Sequence, residues 1–203
     1  MLLRVSSSFP EQRKINLVSE CLKKGGVIIY PTDTVYGFGC DIRNHEAIEK
    51  ICRLKGMDAQ KSNFSFICHD LSHLSDFCKQ IDTPVYKMMK RNLPGPFTFI
   101  LQANNRVPRM FKNKRKTVGI RVPKNLIAKQ IVLTIANPIL SSTVHDDDDI
   151  LEYATDPGKI HNKYKNIVDI VIDGGPGGNQ PSTVVDCTGD SCIVVRQGKG
   201  ILL

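Results

Sequence analysis

No run in the 203-residue sequence approaches the roughly 18 apolar residues that a membrane helix requires, so no helical membrane span is expected. The opening MLLRVSSSFPEQRK lacks the long apolar stretch and small-residue cleavage site of a signal peptide, and a cytoplasmic location is expected. No C-x-x-C occurs. The seven cysteines (21, 40, 52, 68, 78, 187 and 192) are odd in number, which argues against a disulfide framework and gives no ligand spacing for zinc. Most of them lie in apolar surroundings and read as small core residues. The five histidines are scattered, without H-E-x-x-H. A G-x-x-x-x-G-K-[ST] loop, a dinucleotide fingerprint, an ordered Ser-His-Asp set and a paired-glutamate arrangement are all lacking, so none of those chemistries has a sequence basis.

What is present is an ordinary globular composition, 41% hydrophobic and 24% charged, at a length suited to one well-buried core. Charge is unevenly placed. Thirteen Lys or Arg fall between Lys79 and Lys129, against the single acid Asp82, so that segment carries +12 and the rest of the chain −4. Such a block suits a polyanion, either nucleotide or RNA, or else forms a solvated basic face.

Hydrophobic periodicity predicts alternating elements. Strands are expected at Leu2–Val5, Val27–Tyr30, Phe64–Cys68, Phe97–Leu101, Thr117–Val122, Ile139–Val144, Val168–Ile172, Thr183–Asp186 and Ile193–Arg196. Helices are expected from a Ser8 cap to Lys24, after an Asn44 cap, over Leu71–Cys78 and Pro84–Asn92, over Asn125–Ala136, and over Asp149–Lys165 with an interruption at Pro157-Gly158. The pattern is that of a single α/β domain over residues 1–203, with a mixed sheet covered by helices.

Five stretches end or cross strands with polar side chains. In YPTDTVYGFG, Pro31 keeps Tyr30 extended, and Thr32, Asp33 and Thr34 follow the strand end. Gly37 and Gly39 there let the backbone turn or approach a ligand. In CRLKGMD, Lys55 closes a helix, complementing its dipole or reaching an anion. In TVGIRVP, Arg121 either faces water on an edge strand or, if buried, needs a carboxylate or phosphate. PILSST ends in Ser141, Ser142 and Thr143, and the aspartates at 146–149 read as a solvated loop or a weak magnesium candidate. DGGPGGNQPSTVVDC and VVRQGKG offer Ser182, Thr183 and Arg196 beside glycines that serve turns or cradle phosphate. Spacing alone indicates a pocket for a small anionic ligand.

The ordered set YPTDTVYGFGCD, LKGMD, PGPFTFIL, TVGIRVP, PILSST, QPSTVVD and VVRQG resembles the YrdC-type threonylcarbamoyl-adenylate synthase family, over roughly Gly25 to Gly198. VPRMFKNKRKTVGIRVP and the glycine-rich tail are similar to its YciO branch. The resemblance implies a twisted mixed sheet around a large, positively charged cleft. It implies a nucleotidyltransferase that joins L-threonine, bicarbonate and ATP (with Mg2+, and with no tightly bound cofactor) into threonylcarbamoyl-AMP and pyrophosphate for tRNA modification. By its motifs, Thr32, Tyr36 and Arg121 would take threonine. Lys55, Ser141, Thr143, Ser182, Thr183 and Arg196 would take the nucleotide, with Lys55 and Arg196 stabilising charge. Two positions depart from the family pattern: Met57 stands for an arginine and His145 for an asparagine. The basic segment together with Met57 and His145 also fits a double-stranded RNA or tRNA binder with little catalysis, and a third reading is a nucleotide-binding regulatory protein that keeps the cleft without turnover.

Overall fold

The computed structural model describes residues 1–56, 64–72, 74–107, 116–144 and 154–203. Ten strands form one mixed sheet: β1 (Leu2–Arg4), β2 (Ile28–Tyr30), β3 (Gly37–Asp41), β4 (Ser65–Ile67), β5 (Phe97–Gln102), β6 (Thr117–Arg121), β7 (Ile139–Thr143), β8 (Ile170–Asp173), β9 (Thr183–Asp186) and β10 (Ile193–Arg196). Their spatial order is β1-β8-β2-β3-β7-β4-β6-β5-β9-β10. The pairs β1·β8, β2·β8, β4·β6 and β5·β9 are parallel and the others antiparallel.

Helices cover the sheet unequally. On one face α1 (Gln12–Lys23) packs with α4 (Leu126–Ile135) over the β1-β8-β2 end, burying Ile15, Val18, Leu22, Ile127, Ile131 and Ile135 against Ile28, Ile170 and Ile172. On the other face a larger core gathers α2 (His45–Leu54), α3 (Thr83–Asn92) and α5 (Pro157–Tyr164) around Phe38, Phe66, Phe99, Ile120, Leu140 and Val185. Burial drives this arrangement, at about 25 cal/mol for each Å² of apolar surface removed from water. Among the described residues, no helix is long and apolar enough to cross a membrane.

The face that carries α1 and α4 is left open beyond them. Burial alternates along β5, where Phe97, Phe99 and Leu101 point into the core while Thr98, Ile100 and Gln102 stay half-exposed. The same holds along β9, with Thr183 and Val185 inward and Val184 and Asp186 half-exposed. Period-two alternation with one solvated side is what a half-covered sheet requires.

Four expectations need correction. Gly37 and Gly39 do not make a turn: they lie in β3, paired with Tyr30 and Ile28. A Cβ on Gly39 would stand 2.9 Å from Cε1 of Tyr30, so glycine is needed there to let that ring cross the strand. The first helix starts at Gln12, and its N-cap Glu11 makes no side-chain cap bond; Ser8 is not the cap. The stretch expected as a helix over Leu71–Cys78 holds only a 3-10 turn at Leu74–Asp76. Pro157-Gly158 begins α5 instead of interrupting a longer helix: proline suits the first turn, and the Asp156 side chain accepts from the Gly158 and Lys159 amides. The start of that expected helix, Asp149 to Tyr153, lies outside the described residues.

Candidate active site

Directly paired strand residues share a face, so the register defines the floor of the open side. One row runs Gly39, Ser141, Ser65, Gly119 across β3, β7, β4 and β6. Small side chains leave that floor low. A Cβ on Gly119 would meet Thr98 Cγ2 at 3.2 Å and Ser65 Cβ at 3.4 Å, which places all three on the same surface. Tyr30 donates to Ser141 Oγ at 2.8 Å, and Ser65 Oγ reaches the Ser141 carbonyl at 3.5 Å.

Arg121 occupies the next row, opposite Ile67. Its strand is interior, between β4 and β5, and the residue is 4% exposed, so it does not face water on a sheet edge. The sequence required a carboxylate or phosphate for a buried guanidinium, and Asp33 supplies the carboxylate. Arg121 Nη2 stands 3.1 Å from Asp33 Oδ1 and 3.1 Å from Thr34 Oγ1. Asp33 Oδ2 accepts from the Lys124 amide at 3.0 Å, and its carbonyl accepts Lys199 Nζ at 2.7 Å. Arg121 Nε is buried with no hydrogen-bond partner. An unpaired buried donor is costly and marks the guanidinium as incompletely satisfied.

The Thr32 hydroxyl donates to the Val35 carbonyl at 2.7 Å and accepts from the Thr34 amide at 3.1 Å, bracing the loop that carries Asp33. The Tyr36 ring is buried, and its hydroxyl donates to the Gly175 carbonyl at 2.7 Å and accepts from the Gly174 amide. Burial raises this phenol to about 12. The glycine-rich stretch packs here: a Cβ on Gly177 would strike the Tyr36 ring, and one on Gly178 the Thr34 carbonyl.

Lys55 is the C-cap residue of α2, and its Nζ donates to the Thr143 carbonyl at 2.9 Å, so the lysine reaches the end of β7. Thr143 pairs with Gly37 and lies one pleat from Ser141 on the same side. On the far side of the floor, Ser182 Oγ and Thr98 Oγ1 share a hydrogen bond of 2.8 Å. Arg196 grips the Ser182 carbonyl through Nη2 at 2.8 Å and Nε at 3.2 Å, and its Nη2 lies 3.3 Å from Ser182 Oγ.

Of the residues predicted from sequence, Arg121, Ser141, Thr143, Ser182 and Arg196 therefore meet the open face, with Lys55 at its rim. Thr183 does not join them. It follows Ser182 by one residue and points to the other side, where its hydroxyl donates to the Gly200 carbonyl at 2.6 Å and accepts from the Gly198 amide. Met57, His145 and Asp146 to Asp149 lie outside the described residues. Sequence reasoning placed Asp33 and Thr34 beyond the strand end without giving them a role, and missed Ser65, Thr98 and Lys199. Thr98 had a usable signal: the alternation in FTFIL puts it opposite two phenylalanines. A separate recess of about 730 Å3, lined by Arg4, Ser6, Asp156 and Asp173, touches none of the predicted side chains.

The Sua5_yciO_yrdC family model, described as "Telomere recombination", matches residues 20–198. The chain is 42% identical over 193 residues to the uncharacterized protein YciO of Escherichia coli K12, covering 94% of this chain and 92% of that one. The crystal structure of E. coli YciO superposes with a TM-score of 0.92 over 99% of this chain and 97% of that chain, at 39% identity. A threonylcarbamoyl-AMP synthase of Coxiella burnetii is 32% identical over 135 residues, 66% of this chain and 72% of that protein. The structure of P. abyssi Sua5 complexed with L-threonine matches at 26% identity with a TM-score of 0.88, covering 98% of this chain and 57% of that chain. The family model over residues 20–198 and the likeness to YciO in sequence and structure show that the chain belongs to the Sua5/YciO/YrdC family.

Proposed function

We propose that the protein is an ATP-dependent nucleotidyltransferase of the threonylcarbamoyl-AMP synthase type, taking L-threonine and bicarbonate with ATP. The observation that carries this reading is Arg121, a buried guanidinium with one nitrogen unpartnered, set in a floor of small hydroxyl and glycine residues. A threonine carboxylate has the charge to complete it, entering as the loop that carries Asp33 and Thr34 moves to uncover that nitrogen. The threonine-bound relative, similar over 98% of this chain, supports threonine as the small substrate. Thr32 and Tyr36 would act by holding the loop that shapes this end.

The triphosphate would lie toward Lys55 and Arg196, across the row of Ser141, Ser65 and Gly119. Thr143 and Ser182 would offer hydroxyls to it, and Thr183 would hold the strap of residues 198–200 in place. The threonine amine and bicarbonate give a carbamate and water. A carbamate oxygen then attacks the α-phosphorus, and the bond to pyrophosphate breaks. Negative charge gathers on the phosphoryl oxygens and the leaving group, where the two cations act by electrostatics and positioning. Among the described residues there is no group of three or more His, Cys, Asp or Glu set to hold a metal ion. Magnesium would instead arrive on the phosphates of ATP, keeping water and phosphate oxygens as its main ligands.

The test is incubation of the purified protein with ATP, threonine and bicarbonate. Pyrophosphate release that depends on all three is expected, and release at background beside an active control enzyme would remove the reading.

A second reading rests on α3, which presents Tyr86, Lys87, Lys90 and Arg91 on its exposed side. That face would suit the phosphate backbone of a folded or double-stranded RNA such as tRNA. Affinity for duplex RNA should then fall steeply between 50 and 200 mM salt, by about a hundred-fold or more. Salt-independent retention would exclude it.

A further inference from the structure

The turn joining β9 to β10 holds Cys187 and Cys192, both only partly buried, with their sulfurs 3.0 Å apart. The turn is already shaped for closure. Asp186 Oδ1 accepts the Thr188 amide at 2.9 Å and the Thr188 hydroxyl at 2.7 Å, and Ile193 pairs with Asp186 directly behind it. A disulfide needs its sulfurs at about 2.05 Å, a short movement from this position. Of the other five cysteines, Cys21 is half-buried against the α1–α4 core, where burial raises its thiol, and Cys40, Cys52, Cys68 and Cys78 lie in the large core, where burial pushes the Cys68 and Cys78 thiols up to about 12. These last four offer neither thiolate nor access.

We propose that Cys187 and Cys192 form a reversible dithiol–disulfide site, oxidised by small soluble disulfides, that fastens the β9–β10 hairpin. The Cys192 thiolate attacks one sulfur of the small disulfide, forming a mixed disulfide and releasing one thiol. Burial pushes the Cys187 thiol up, so Cys187 enters second, attacking the Cys192 sulfur and expelling the second thiol. The protein loses two electrons and two protons, and the small disulfide gains them as two thiols.

The hairpin is where such a link has most to hold. β10 is the outermost strand, all four of its residues are exposed, and its register shifts between Val194 and Arg196. Its far end carries Arg196 against Ser182. Such an edge is paired on one side only and exposed along its length, so its opening free energy is low and a covalent closure raises it. The inference stands on the thiol pair and is independent of what the open face binds.

The test uses the full chain, treated with oxidised glutathione or kept in dithiothreitol. Oxidation is expected to lower the mass by about 2 Da. Cleavage on the N-terminal side of Asp190 should leave the Cys187 and Cys192 fragments joined until reduction. Amide exchange at Val194 and Arg196 should slow by about ten-fold in the linked form. A Cys187→Ser/Cys192→Ser double variant should show neither change. An unchanged mass, a lasting mixed disulfide with glutathione, or linkage between other cysteines would overturn the site. Linkage of the right pair with unaltered exchange in β10 would overturn the fastening.

Discussion

Arg121 and Asp33, 88 residues apart in the chain, meet as a buried ion pair at 3.1 Å. The contact ties the loop after β2 to the end of β6, and it places a cation in the floor of the open face.

Arg121→Met strips the enclosed Asp33 carboxylate of its ion-pair partner and should cost about 3 kcal/mol, with Lys199 at the Asp33 carbonyl softening the loss, measured by urea denaturation. Adding Asp33→Asn removes the stranded charge and should recover part of that loss. Equal stability of the single and double variants would mean that the stranded carboxylate costs little. Threonine affinity should be lost in both.

Lys55→Met and Arg196→Met should each lower turnover by about 10²–10³-fold, as expected for removing a charge-stabilising donor. Both side chains sit at the rim of the face, so stability should change by no more than about 1 kcal/mol. Pyrophosphate release and a denaturation curve on the same samples check both halves.

Two glycines on the open side separate packing from access. Gly39→Ala drives a Cβ to 2.9 Å from the Tyr30 ring and should cost about 1–3 kcal/mol. Gly119→Ala meets Thr98 Cγ2 at 3.2 Å, the Phe64 carbonyl at 3.3 Å and Ser65 Cβ at 3.4 Å, contacts that a shift of a few tenths of an ångström relieves. It should cost about 1 kcal/mol or less while raising the floor, so nucleotide affinity falls and the melting temperature barely moves. Calorimetric titration with ATP beside thermal denaturation distinguishes the two.

Burial raises the phenols of Tyr30 and Tyr36 from the ordinary 10 to about 12. Each contributes stability that is whole below pH 10 and is lost as pH rises toward 12, because the unfolded chain ionises first. For Tyr30, enclosed on all sides, the loss is on the order of 2 kcal/mol; the Tyr36 hydroxyl, set at the glycine-rich stretch, is less deeply enclosed and contributes less. Alkaline denaturation of Tyr30→Phe should therefore be less steep across that range. An unchanged slope would place the effect elsewhere.

Much of this arrangement was legible in the sequence because burial writes a period. The runs around Ile28, Phe99 and Ile120 gave their strands, and Asn44 and Asn125 cap their helices through their side chains. The strand β3 was not legible, since its glycines read as a turn until the Tyr30 ring was seen crossing them. Arg121 announced that it needed a carboxylate, but which one depended on how the loop after Pro31 folds back. Thr183 was grouped with Ser182 by adjacency, although strand geometry puts neighbours on opposite sides. Ser65, inside the apolar run FSFIC, gave no sign of its place until the register aligned it with Ser141 and Gly119.

The most direct test of the account is an amide chemical-shift map of the protein titrated with ATP and with L-threonine. The account predicts threonine-induced shifts centred on Thr34 and Arg121, and ATP-induced shifts along Ser141, Ser65, Gly119 and Ser182, all on one face of the sheet. Shifts confined to α1 and α4, or to the recess beside Arg4 and Asp173, or none at millimolar ligand, would contradict it.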